Sequence, residues 1–251
     1  MSDIDPPLAA EFDPPSHEAW LALVGKVLKG ADFDKRLVSR TADGLAIEPL
    51  YKRADAVEGA AAVGRSGWYP GGWDVRQRHS EPDPKAANAA ILDDVTNGAT
   101  SLLFQIQAPG QAGLPYGAGP LAEALKGVFL HACTIALDAR ENTLDAVGSL
   151  MEIWREAGIS ENVRRGAFNY DPLGVLARTG TLYYPADRSC EIAAKLAADS
   201  RTMSHVTALV ADGRPYHEAG ASEAQELAAM LATLVAYLRA CEAVGLRPRM
   251  A

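Results

Sequence analysis

The hydrophobic positions of this chain change rhythm near residue 72. Between residues 16 and 28, Trp20, Val24, Val27 and Leu28 recur at the three- and four-residue spacing of one helical face. Ser16 stands ahead of them as an N-cap, Glu18 falls in the first turn, and Lys29-Gly30 supplies a stop. A short charged segment, 32–37, follows. Thr41-Ala-Asp-Gly44 predicts a turn and 45–51 a short strand. Residues 54–71, rich in Ala, Gly and Arg, have the composition of a linker, and the acidic, proline-rich residues 1–15 that of an unstructured leader. Residues 1–71 are therefore expected to form an N-terminal extension, and 72–251 the main domain.

From Gly72 short apolar runs alternate with longer amphipathic ones. Strands are expected at 73–78, 101–107, 133–137, 166–170 and 206–210, and helices at 84–97, 120–129, 143–157, 187–199 and 223–244. Five successive βα units imply a parallel sheet with helices packed on it. An eight-stranded α/β barrel needs three more units, whereas a doubly wound five-stranded sheet is complete in itself. Periodicity does not separate the two. In either fold a ligand sits in the loops beyond the carboxyl ends of the strands. This draws attention to residues 212–221, Asp-Gly-Arg-Pro-Tyr-His-Glu-Ala-Gly-Ala, between the last strand and the last helix.

Composition narrows the function classes. A formal charge of -8 argues against a nucleic-acid partner. No apolar run approaches the ~18 residues of a membrane span, and the acidic start is unlike a signal peptide. Cys133, Cys190 and Cys241 are far apart and form no Cys-x-x-Cys pair, which suits a reducing cytoplasm.

Most chemical motifs have an ordinary structural explanation. Gly117-Ala-Gly-Pro-Leu-Ala122 matches the dinucleotide pattern Gly-x-Gly-x-x-Gly/Ala, with Asp138 ending the next strand. Nine residues, however, separate it from the preceding strand, where a true fingerprint has a tight turn; a helix start with Pro120 in its first turn explains it better. The five histidines are scattered, and none has the i, i+4 spacing of a metal site. His79 and His217 lie just beyond strand ends, as loop histidines often do. No Gly-x-Ser-x-Gly elbow exists, and Cys133 lies within an apolar strand. Asp171 and Asp212 follow strands, where they suit turns as well as acid–base work. Arg76 and Gln77, near the end of the first repeating strand, form the most suggestive polar pair: an arginine there can clamp a carboxylate or phosphate, or anchor a loop.

Several stretches together resemble the methylmalonyl-coenzyme A mutase family. They are the run 18–37, ending Lys29-Gly-Ala-Asp-Phe-Asp-Lys-Arg-Leu37, then Thr41-Ala-Asp-Gly-Leu-Ala-Ile-Glu-Pro-Leu-Tyr51, Trp73-Asp-Val-Arg-Gln77, Asp83-Pro-Lys-Ala-Ala-Asn88 and Glu218-Ala-Gly-Ala221. The matches keep their order from about residue 12 to 246. The resemblance implies a TIM-type (β/α)8 barrel, incomplete in this chain, with about five βα units after an N-terminal helical extension. It implies, for the family's catalytic chain, acyl-coenzyme A threaded along the barrel axis, adenosylcobalamin capping its end, and radical interconversion of methylmalonyl- and succinyl-coenzyme A. The family's N-terminal segment wraps a partner subunit.

The sequence departs from the catalytic pattern at key places. After Trp-x-x-Arg-Gln the catalytic chain has a tyrosine; here Arg78 stands. The catalytic loop has Gly-Tyr-His before its Glu-Ala-Gly-Ala, and alignment on 218–221 puts Pro215 at the histidine, with His217 where the family has glutamine. The strand 133–138 lacks the hydroxyl-rich ending of the catalytic chain, and the cobalamin domain's Asp-x-His-x-x-Gly signature is absent. These losses resemble the small, non-catalytic subunit of the heterodimeric bacterial enzyme, and the chain is expected to be a fragment or truncated subunit. Expected, then, are no catalytic residue, no metal and no cofactor in this chain, adenosylcobalamin in a large partner subunit, and association with that subunit or with a second copy. Two competitors are an active acyl-coenzyme A isomerase using Arg76, Gln77 and His217 on substrate, and an unrelated five-stranded nucleotide-binding protein using 117–122.

Overall fold

A computed structural model describes residues 15–56 and 73–246. The expected leader, up to residue 14, and the expected linker, from residue 57, lie outside the described residues. The chain divides into two compact units, 1–64 and 65–251.

The first unit opens with α1 (His17–Leu28), capped by the Ser16 hydroxyl, which accepts from the Ala19 amide at 3.2 Å. Lys29 ends it in the left-handed conformation, φ 51°. The charged segment 32–37 is a helix, α2 (Phe33–Leu37), because the Asp32 carboxylate caps it at the Lys35 amide. The expected strand 45–51 shortens to β2 (Ala46–Ile47), paired antiparallel with β1 (Ser39–Arg40) around the Thr41–Gly44 turn. Pro49 explains the shortening, since it offers no amide to a ladder. Trp20 meets Phe33 edge-on at 6.3 Å, yet neither helix holds a fully buried residue.

The second unit carries a five-stranded parallel sheet: β3 (Arg76–His79), β4 (Ser101–Gln105), β5 (Thr134–Asp138), β6 (Arg165–Tyr170) and β7 (His205–Leu209). The spatial order equals the chain order. It never reverses, so the sheet lacks the switch point of a doubly wound fold. The intervening helices are α3 (Pro84–Thr96), α4 (Ala118–Ala124), α5 (Thr143–Glu156), α6 (Pro172–Thr179), α7 (Ala186–Asp199), α8 (Arg214–Glu218) and α9 (Glu223–Ala243).

Register explains the core. Leu102, Ile135 and Gly166 form one row across the sheet, and Phe104 and Leu137 the next. These rows pack on Ile91 of α3, Leu121 of α4, and Leu150 and Trp154 of α5, all fully buried. Gly166 is required here: a Cβ would stand 2.5 Å from the Ile135 carbonyl oxygen and 3.1 Å from the Trp154 ring. The alternate row, Arg78, Leu103, Ala136, Ala167 and Thr207, takes the opposite face.

In the second unit two boundaries differ from expectation by three residues or more. The first strand begins at Arg76 rather than Trp73, because the ladder opens at the Val75 carbonyl, which accepts from Thr100 and Ser101. The second helix stops at Ala124 rather than 129, because Gly127 turns the chain at φ 80°. α6 was not expected at all; it exists because the Asp171 carboxylate caps Gly174 at 2.9 Å behind Pro172.

Candidate functional site

A cleft of about 230 Å³ opens at the carboxyl ends of β5, β6 and β7. Its wall includes Asp138 and Arg140 after β5, Asn169 and Asp171 after β6, and Asp212, Arg214 and Pro215 after β7, with Arg178 of α6 alongside. Strand order places these residues together, since each strand delivers its terminal polar residues to the same edge.

Two of the three arginines in the cleft, Arg178 and Arg214, are paired with carboxylates, and no ion pair among the described residues involves Arg140. The Arg214 guanidinium is bidentate on Asp212, with Nε 2.9 and 2.8 Å from the two carboxylate oxygens, and its Nη1 reaches Asp138 Oδ2 at 2.9 Å. Burial pushes the Asp212 carboxyl up, but the hydrogen bonds and charge of Arg214, helped by Arg178, hold it below its ordinary value. Arg178 forms an ion pair with Glu218 at the end of α8. The Asp171 carboxylate accepts from the Gly174 amide, from the Asp212 amide at 2.9 Å and from the Tyr237 hydroxyl of α9. Burial and the neighbouring Asp171 charge both raise the Tyr237 phenol, so it stays protonated and donating.

The backbone is strained at the same place. Arg140 (φ 46°) and Asn169 (φ 53°) are left-handed residues, and both line the cleft. Asn169 offsets part of that cost by donating from Nδ2 to the Leu137 carbonyl at 2.9 Å. Residues held in this conformation concentrate at sites of past or present function.

Of the residues singled out in the sequence, Asp138, Asp171, Asp212 and Pro215 meet in the cleft, and the others do not. Arg76 sits at the amino end of the sheet, donating from Nε to Ser101 Oγ at 2.8 Å, 3.9 Å from Asp74. Gln77 follows on the same short strand and is exposed, and so is Arg78. Neither Arg76 nor Gln77 lines the cleft. Pro215 is buried in the cleft wall, within α8. His217, two residues on, is 74% exposed and faces away onto Glu226, with Nδ1 3.1 Å from Oε2. The stretch 117–122 starts α4, with no side-chain cap at Gly117, and does not line the cleft. Between β4 and α4 the chain instead folds back on itself: buried Gln111 donates to the Ile106 and Asp138 carbonyls at 2.8 and 3.0 Å. His79 is the last residue of β3, not a loop residue beyond it, and is buried against Phe104. Among the described residues, no cluster of three His, Cys, Asp or Glu side chains suits a metal ion. Cys133 is buried, and burial followed by the Asp74 charge pushes its thiol up to about 11.

Arg140 and Asn169 were not singled out in the sequence, and Arg214 only as part of the loop 212–221. Arg214 follows Asp212-Gly at a strand end, and that signal was present, but its partner Asp138 lies 76 positions away.

A sequentially ordered parallel sheet with a polar cleft at its carboxyl edge is the class of α/β protein that places its sites on strand ends. A family model for methylmalonyl-CoA mutase matches residues 118–250, just over half of the chain. The chain belongs to the methylmalonyl-CoA mutase family. It is similar to a methylmalonyl-CoA mutase small subunit of Streptomyces virginiae, 40% identical over 95% of this chain and 40% of that protein. It is similar also to the small subunit of Propionibacterium freudenreichii subsp. shermanii, 31% identical over 93% of this chain and 38% of that protein. The large subunit of Streptomyces virginiae matches at 26% identity, over 92% of this chain and 35% of that protein. The chain thus spans about two fifths of the length of the curated relatives it matches.

Proposed function

We propose that this chain is the barrel region of a small, non-catalytic subunit of methylmalonyl-CoA mutase. Its five βα units supply part of a (β/α)8 barrel, which the unreversed strand order supports. The radical interconversion of methylmalonyl- and succinyl-CoA takes place on a large, cobalamin-binding partner chain in the cytoplasm, and this chain itself binds no cofactor. No helix among the described residues is long and apolar enough to cross a membrane.

The observation that carries this reading is the state of the cleft. Where the resemblance places a catalytic imidazole, buried Pro215 has no proton to give or take. Around it, Arg214 closes on Asp138 and Asp212, and Glu218 on Arg178. A substrate carboxylate that engages Arg214 or Arg178 has to displace an existing ion pair.

The N-terminal unit supports a docking role. Leu23 and Val27 of α1 are 61% and 79% exposed, and Leu45 after the turn is 65% exposed. Exposed apolar side chains of this kind are suited to a partner surface. Coexpression with a mutase large subunit tests the proposal: the two chains are expected to copurify as one complex, and clean separation at low salt contradicts it.

A further inference from the structure

Arg164, the residue before β6, is 7% exposed, and its guanidinium has no hydrogen-bonded carboxylate among the described residues. Glu161 comes nearest, with Oε1 3.9 Å from Nη1 and its own side chain half in solvent. A buried guanidinium needs acceptors for its N–H donors. Arg164 finds them in a carbonyl and two sulfurs. Nε donates to the Ile159 carbonyl at 3.1 Å. Nη1 points at Met151 Sδ of α5, 3.8 Å away, and at Met203 Sδ just ahead of β7, 3.7 Å away. The Trp154 indole takes the guanidinium face, 5.8 Å from Cζ to the ring centre. These are interior contacts between α5 and the amino ends of β6 and β7, not an uncovered surface.

A thioether is a weak acceptor, so two of them leave the charge poorly satisfied. Oxidation turns the thioether into a polar sulfoxide, whose oxygen is a much better acceptor. The two methionines differ in access: Met203 is 3% exposed, whereas Met151 is half-buried. Met151 is also unbranched and rotatable. An oxygen one bond beyond its Sδ therefore reaches Nη1 by torsion of the methionine, with the guanidinium in place. In most cores a sulfoxide is disruptive, because it buries an unpaired dipole. Here the donor is already present.

We infer that Met151 is a reversible oxidation site, which takes one oxygen atom from a peroxide and presents it to Arg164. The sulfur gives two electrons to the O–O bond; an S=O bond forms as the O–O bond breaks, and hydrogen peroxide leaves as water. A methionine sulfoxide reductase, drawing two electrons from a pair of thiols, reverses the step. The oxidised side chain ties α5 to the start of β6 by a hydrogen bond from a charged donor, in place of a thioether contact.

The test titrates the folded full chain with hydrogen peroxide. Sulfoxide at each methionine is read by peptide mass spectrometry, and the melting temperature is measured before and after. Met151 is expected to oxidise about tenfold faster than Met203. Met151→Leu, oxidised alongside, subtracts the effect of the other methionines. After that subtraction, oxidation is expected to leave the melting temperature of the wild-type chain unchanged or raised, and to lower that of Arg164→Met. A second comparison leaves Arg164 untouched: the side-chain carbonyl of Met151→Gln stands in for the sulfoxide, and this variant is expected to melt no lower than Met151→Leu. Three results overturn the inference. They are equal oxidation rates at Met151 and Met203, an oxidation effect on melting that is the same with and without Arg164, and a Met151→Gln variant that melts below Met151→Leu.

Discussion

Arg214 Nη1 lies 2.9 Å from Asp138 Oδ2 and so ties the start of α8 to the end of β5 across the mouth of the cleft. Asp138 is almost fully buried, whereas the Arg214 side chain is 55% exposed. Arg214→Met leaves two carboxylates without their cation. After discounting for the exposure of the arginine, the expected loss is about 1–2 kcal/mol, read from urea unfolding at pH 7. The pH dependence should change as well. Asp212 has a folded pKa below its unfolded one, so its contribution is complete above about pH 4 and is lost as pH falls through the folded value. In Arg214→Met the acid limb of the stability curve is expected to become shallower.

Tyr237 joins α9 to the same edge. Its hydroxyl donates to Asp171 and accepts from the Leu173 amide at 3.0 Å. Tyr237→Phe removes both bonds within a buried site and is expected to cost about 1–3 kcal/mol. Asp171→Ala strips three donors at once and should cost more than Tyr237→Phe in the same denaturation assay. Equal losses contradict the assignment of Asp171 as the hub.

Gly166 allows Trp154 to approach the sheet. Gly166→Ala forces a methyl group against a carbonyl oxygen and an indole edge, and is expected to destabilise by about 1–3 kcal/mol. A Trp154 fluorescence change in the folded variant is the accompanying readout.

His79 gives a second pH effect, at a higher pH. Burial lowers its pKa, and Glu81 and Asp94, 3.8 and 3.5 Å away, offset this only in part. Its Nε2 has no hydrogen-bond partner. The unfolded chain therefore takes up a proton before the folded one does. Stability is complete above about pH 6.5 and falls as pH drops through that value towards the folded pKa. In His79→Gln the difference in melting temperature between pH 7.5 and 5.5 is expected to shrink, whatever the variant's absolute stability.

Local signals made much of the fold legible. Ser16 and Lys29-Gly30 mark both ends of α1, and the five apolar runs locate the five strands to within three residues at either end. What periodicity left open, barrel-type or doubly wound order, is a property of pairing between strands and has no local code. α6 was missed because eight residues are too few to show a helical period, although Asp171-Pro172 marks its start. The cleft was the least legible part. Asp138, Asp171 and Asp212 each have an adequate local explanation as strand-end or turn residues, and only the sheet brings them together. Arg76 suggested a ligand clamp because the strand was expected to end near it; the strand begins there instead, and its guanidinium anchors Ser101.

The central claim is that the cleft of this chain, with Pro215 in its wall and Arg178 and Arg214 already paired, performs no rearrangement of its own. The direct measurement is conversion of methylmalonyl-CoA to succinyl-CoA by the purified chain with added adenosylcobalamin, beside the same assay with a mutase large subunit present. The account predicts no turnover by the chain alone and turnover only when the large subunit is supplied. Turnover by the chain alone, abolished by Arg76→Ala or His217→Ala, contradicts it.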